Sequence, residues 1–71
     1  MKLYFFGILI ASKKHQTFCD VHGDVMTDDE HTARMAAFAY AQGIERKSGG
    51  DLFAIGIVTK EADKVEIPGY V

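Results

Sequence analysis

Leu3-Tyr4-Phe5-Phe6-Gly7-Ile8-Leu9-Ile10-Ala11 is the stretch on which the fold turns. It is dense in aromatic and β-branched residues and too short for a core helix, so it reads as a strand. Both of its alternating sets are apolar, as in a central strand covered on two sides. Residues 12–15 are polar and turn the chain. Residues 16–25 then alternate: Thr17, Cys19, Val21 and Val25 fall on one face, and Gln16, Phe18, Asp20, His22 and Asp24 on the other. That is the pattern of a half-buried strand. A tight turn at Lys13-Lys14 pairs Ile10 with Thr17, Ile8 with Cys19 and Phe6 with Val21. On the opposite face it pairs Phe5 with His22 and Gly7 with Asp20. A slip of one residue would exchange the faces.

Met26-Thr27-Asp28-Asp29-Glu30 opens a helix. Thr27 and Glu30 have capping-box spacing, and Asp28 and Asp29 suit the positive end of the helix dipole. Ala33, Ala36, Ala37, Tyr40 and Ile44 recur at helical spacing and form the expected core face. Arg46 and Lys47 suit the negative end, and Ser48-Gly49-Gly50-Asp51 stops the helix. Residues 52–59 make a third strand, with Ala54 and Gly56 on one face and Phe53, Ile55 and Ile57 on the other. Residues 60–71 are a tail in which Val65 and Ile67 form a short edge strand ended by Pro68-Gly69. The predicted fold is therefore α+β. It has an antiparallel sheet of three strands, a short fourth in the tail, and one helix on one face, in the order ββαβ(β).

The 71 residues make a single domain, residues 1–71, and an apolar fraction of 48% excludes a disordered chain. The formal net charge of −2 draws the molecule to neither nucleic acid nor anionic lipid. Cys19 is the one cysteine, so no intramolecular disulfide can staple the fold, which fits a reducing, cytoplasmic setting. A chain this small with a thin core needs other support, and self-association as a homodimer is the natural source. Met1-Lys2 and the apolar run imitate a signal peptide. The run is at the short limit, however, and Ser12-Lys13-Lys14-His15 offers no cleavage site, so no targeting segment is expected. No run is long enough to span a membrane.

The opening Tyr4-Phe5-Phe6, the short basic turn, Phe18-x-Asp20 with Gly23 nearby, the acidic helix start and the apolar strand after a glycine break resemble small phage and prophage accessory proteins of ββαβ layout. The resemblance covers most of the chain as a pattern, without a diagnostic motif. This chain departs from it in its alanine-rich helix and longer tail. The resemblance implies a protein that inhibits or modulates a host complex by binding it, and it transfers no functional residue.

No catalytic, cofactor or metal site is expected. His15-x-x-x-Cys19-x-x-His22 superficially offers zinc ligands, but a regular strand aims Cys19 and His22 to opposite faces. Cys19 then reads as a small core residue. Asp20, His22 and Asp24 do share a face, and a carboxylate beside an imidazole can orient a general base. They are the residues of an alternative reading, a small metal-dependent or acid/base enzyme working at a subunit boundary. On an open sheet surface they read first as solvated polarity. Lys13-Lys14 is too short for a nucleic-acid patch. Ser48-Gly49-Gly50-Asp51 follows a helix instead of opening one, so it is no phosphate cradle.

The stronger candidates are apolar. Met35 and Phe38 project from the outer face of the helix beside His31, Arg34 and Gln42. Phe5, Leu9 and Phe18 lie on the sheet face that a single helix does not cover. These seven residues, Met35, Phe38, Arg34, Gln42, Phe5, Leu9 and Phe18, are the expected interaction surface of a non-enzymatic protein-binding module. Cover of that sheet face by Val65, Ile67 and Tyr70 of the tail is the competing reading.

Overall fold

The computed structural model describes residues 1–62. The expectations for Val65, Ile67, Pro68-Gly69 and Tyr70 lie outside the described residues. The chain runs β1 (Lys2–Ser12), β2 (Thr17–Thr27), α1 (Glu30–Lys47) and β3 (Leu52–Glu61). The strands form one antiparallel sheet in the order β2-β1-β3, so the apolar opening strand is central, as its composition requires.

The hairpin register differs from the expected one by two residues. Ile10 pairs with Cys19, Ile8 with Val21, Phe6 with Gly23, Phe5 with Asp24 and Gly7 with His22. The shift is even, so each residue keeps its predicted face. Its cause is a turn over residues 13–16 in which Gln16 takes a positive φ of 50°. The turn is tied down from outside the hairpin. The Ser12 hydroxyl donates to both Asp51 carboxylate oxygens at 3.1 and 2.9 Å. The Lys14 amide donates to Asp51 Oδ1 at 2.6 Å, and the Lys13 amide to the Asp51 carbonyl at 3.0 Å. The His15 amide in turn donates to Ser12 Oγ. One carboxylate thus fastens the β1–β2 turn to the α1–β3 loop.

Asp29, not Thr27, caps the helix. Its backbone is extended and its Oδ1 accepts from the Thr32 amide at 2.7 Å. Thr27 is unavailable because it is the buried last residue of β2, paired with Lys2. The helix ends at Ser48, whose hydroxyl donates to the Glu45 carbonyl and accepts from the Leu52 amide. Gly49 and Gly50 follow with φ of 67° and 92°, a left-handed pair in open space that only glycine adopts without strain.

The buried stripe of α1 is Ala33, Ala37 and Ala41. Small side chains every fourth residue let the helix backbone approach the sheet closely. Ile8, Ile10 and Ala41 are the centre of the core, with Phe6, Val21, Ile44, Leu52, Ala54 and Ile57 packed around them. The expected alternation in β3 fails at a bulge. Leu9 pairs with Gly56 but Ile10 with Ala54, so Ile55 is an extra residue that lies exposed. Beyond the bulge the parity reverses, and Ile57 joins Ala54 on the core face. Glu45 supports the irregular turn of backbone by accepting from the Ala54 amide at 2.9 Å.

Two outcomes follow. Ile8 is the one large side chain that is wholly buried among the described residues, at 1% exposure. Ile8→Ala should lower unfolding free energy by about 2–5 kcal/mol in urea titration. The Asp51 carboxyl is held below the usual carboxylate range, chiefly by the Lys14 amide with help from the Ser12 hydroxyl, partly opposed by desolvation. A depressed folded pKa stabilises above the ordinary carboxylate value and loses that contribution as pH falls through the lowered one. Asp51→Asn should therefore lower the thermal midpoint near neutral pH and flatten its acid-side decline. An unchanged acid limb would show that the clamp carries no linked stability.

Candidate interaction surface

Three surfaces arise from the way one helix sits on three strands. α1 packs chiefly on β3, less on β1 and least on β2. Among the described residues nothing covers the face away from the helix. On it lie Phe5, Leu9 and Phe18 together with Met26, Phe53 and Val58. Phe18 and Val58 are 68% and 69% exposed. Leu9 and Phe53 are half-buried by their neighbours. The cross-strand rows explain the grouping. Phe53, Ala11 and Phe18 form one row at the turn end, where Lys13 Nζ stands 5.6 Å from the Phe53 ring centre. Val58, Gly7 and His22 form another, in which the missing side chain of Gly7 leaves a shallow depression below His22 and Val58.

The second surface is the outer helix. Met35 and Phe38 are 54% and 50% exposed there, flanked by exposed His31, Arg34 and Gln42. The structure thus brings Met35, Phe38, Arg34 and Gln42 onto one helix face. Phe5, Leu9 and Phe18 lie on the sheet face opposite it. The two groups are separated by the thickness of the domain and form two patches.

The third surface was not legible in the sequence. Because α1 is displaced toward β3, the helix-side face of β2 has little cover. Tyr40, expected in the core, is half-exposed and leans over this strand, its ring 5.9 Å from that of Phe6. Cys19, also expected in the core, sits on the core-side face as predicted but is exposed for the same reason. Between α1 and β2 runs a groove of about 420 Å³ whose apolar wall is Phe6, Gly23, Val25, Ala36 and Tyr40. The Phe6 ring lies across Gly23, where an added Cβ would come within 2.5 Å of Phe6 Cζ.

Asp20, His22 and Asp24 share the bare sheet face and are exposed, and Cys19 points to the other side. Among the described residues no three acidic, histidine or cysteine side chains are grouped to hold a metal ion. No helix among the described residues is long and apolar enough to cross a membrane. Comparison with protein-family models, curated proteins and solved structures gave no match.

If Phe18, Met35 and Phe38 contribute little to folding, replacing each with Ser should move unfolding free energy by no more than about 0.5 kcal/mol. Denaturant titration of the three variants checks this. A larger loss at any of them would mark that residue as part of the fold's own packing.

Proposed function

We propose that this chain is a small non-enzymatic protein-binding module that acts in the cytoplasm by contact with a protein partner. The observation that carries the reading is the uncovered apolar sheet face opposite the helix, with Phe5, Leu9, Phe18 and Val58 across it. Met35 and Phe38 add a second apolar patch, with Arg34 and Gln42 as its polar rim. Large apolar side chains grouped at a surface and bordered by charge are the composition of interface centres. The net charge of −2 favours a protein over a nucleic acid as the partner. Extending the resemblance to phage and prophage accessory proteins, the partner is a host complex and the outcome of binding is its inhibition or modulation.

The test is capture of the partner by variants that keep the fold. Phe18→Glu, Met35→Glu and Phe38→Glu place a charge on each patch without touching the buried core. At least one patch should lose capture by tenfold or more, while far-ultraviolet circular dichroism stays that of the parent. Undiminished capture by all three variants would sink the reading.

A further inference from the structure

The two edges of this sheet are built differently. Along β3, the outward amides of Leu52 and Ala54 are taken by Ser48 Oγ and Glu45 Oε1, and the strand is bulged at Ile55. Lys60 stands near its far end. These are devices that prevent an edge from pairing with another strand. β2 lacks the bulge, the side-chain-occupied amides and the lysine, and its charged residues, Asp20 and Asp24, both lie on the face away from the helix. It is as long as β1, pairs with it without a register break, and carries neither proline nor lysine. Among the described residues no hydrogen bond from outside the hairpin reaches the backbone of residues 17–26.

We infer that β2 pairs antiparallel with β2 of a second copy of this chain, about a two-fold axis at Gly23, to give one continuous six-stranded sheet. This rests on the reading that the chain works by contact and names its first partner. The sequence of β2 selects the register. A two-fold at Gly23 sets His22 opposite Asp24 of the partner, twice, on the bare face. It sets Val21 opposite Val25 of the partner, twice, on the helix side. A two-fold at His22 would oppose Asp20 to Asp24 twice, and like charges directly opposite are unfavourable. A two-fold at Val21 also joins His22 to a carboxylate, Asp20. It leaves Phe18 facing Asp24, however, and moves the axis away from Phe6. Only the Gly23 axis uses the groove. Each Phe6 ring already lies over Gly23, so the axis places the two rings over adjoining strands, roughly one strand spacing (~4.8 Å) apart. Tyr40 of each copy closes over its own Phe6 from above. The half-exposed residues between α1 and β2 thereby become the core of the joined molecule. Residues 19–27 of each copy lie opposite one another in this arrangement. That overlap supplies about eight to ten backbone hydrogen bonds between the chains.

Molar mass of the full chain by light scattering should be that of a dimer at micromolar concentration. His22→Asp alone sets carboxylate against carboxylate twice, Asp24→His alone replaces each imidazole–carboxylate pair with two imidazoles, and each should weaken the dimer, the first by about tenfold. The exchanged variant His22→Asp/Asp24→His restores the imidazole–carboxylate pair between positions 22 and 24, which face each other only if the axis is at Gly23, and should recover the parent's dissociation constant. On a Cys19→Ser background, mixing His22→Cys with Asp24→Cys protein under mild oxidation should give a covalent heterodimer. A monomeric parent would overturn the inference. So would failure of the exchanged variant, or homodimer cross-linking of His22→Cys alone, which marks an axis at His22. Cross-linking of an Asp20→Cys and His22→Cys mixture marks an axis at Val21 and would overturn it equally. A monomer whose partner capture still depends on Phe18 or Phe38 removes the pairing and leaves the contact reading standing. A correctly registered dimer whose partner capture is undiminished in Phe18→Glu, Met35→Glu and Phe38→Glu alike keeps the pairing and removes the contact reading.

Discussion

The alanine stripe Ala33, Ala37 and Ala41 holds α1 against β1 and β3, and most of the surface follows from that position. An α-helix with its side chains is about 10–12 Å wide, whereas three strands at ~4.8 Å occupy more than that once their own side chains are included. One helix seated by alanines toward β3 therefore covers β2 only sparsely. The uncovered strand exposes Cys19, half-exposes Tyr40 and opens the groove below it. The other sheet face carries no helix among the described residues. The domain ends with apolar side chains on two sides of a sheet whose central strand is itself apolar on both.

Polar contacts fix how these parts meet. Asp51 joins the hairpin turn to the loop before β3, and so sets which end of β3 lies beside Ser12. Glu45 and Ser48 then hold the first amides of β3 from the helix end. The same groups that determine the path of β3 also occupy its outer edge. β2 enters from a turn and leaves toward a helix capped by its own Asp29, so no such group lies alongside it. The unequal treatment of the two edges is a by-product of chain order: the helix returns over β3, and its C-terminal side chains are available there alone.

The element order, the central place of β1 and the faces of the hairpin could be read from Leu3 to Val25, because period-two patterning survives any even shift in register. The shift itself could not. It depends on Ser12 and the distant Asp51 closing a turn around Gln16, and nothing local to Lys13-Lys14 signals that. Thr27 and Asp29 are both good caps by residue type. Burial of Thr27 at the end of β2 decides between them. Ile55 looks like an ordinary alternating residue, and beside its bulge the Ala54 amide donates to the Glu45 carboxylate. Met35 and Phe38 were legible as outward because helical spacing alone fixes their direction. Tyr40 was not, since its spacing points inward and only the lateral offset of the helix leaves it half in water.

Asp20, His22 and Asp24 are the residues that chemistry would single out first, and strand geometry limits what they can do within one chain. Alternate Cα atoms on a strand are about 6.6–6.8 Å apart, and among the described residues no hydrogen bond joins His22 to Asp20 or Asp24. Along β2 they are three neighbours on an exposed face that do not form a dyad. Across an antiparallel partner the spacing changes, because directly opposed Cβ atoms come within about 4.5–5.5 Å. A histidine flanked by aspartates at alternate positions is then a symmetric charge pattern that disfavours an axis at His22 and matches charges equally well about Gly23 and Val21. Gly23, over which the Phe6 ring lies, is the one of those two axes that also falls at the apolar groove. The polar cluster narrows the choice of axis, and the aromatic cluster completes it.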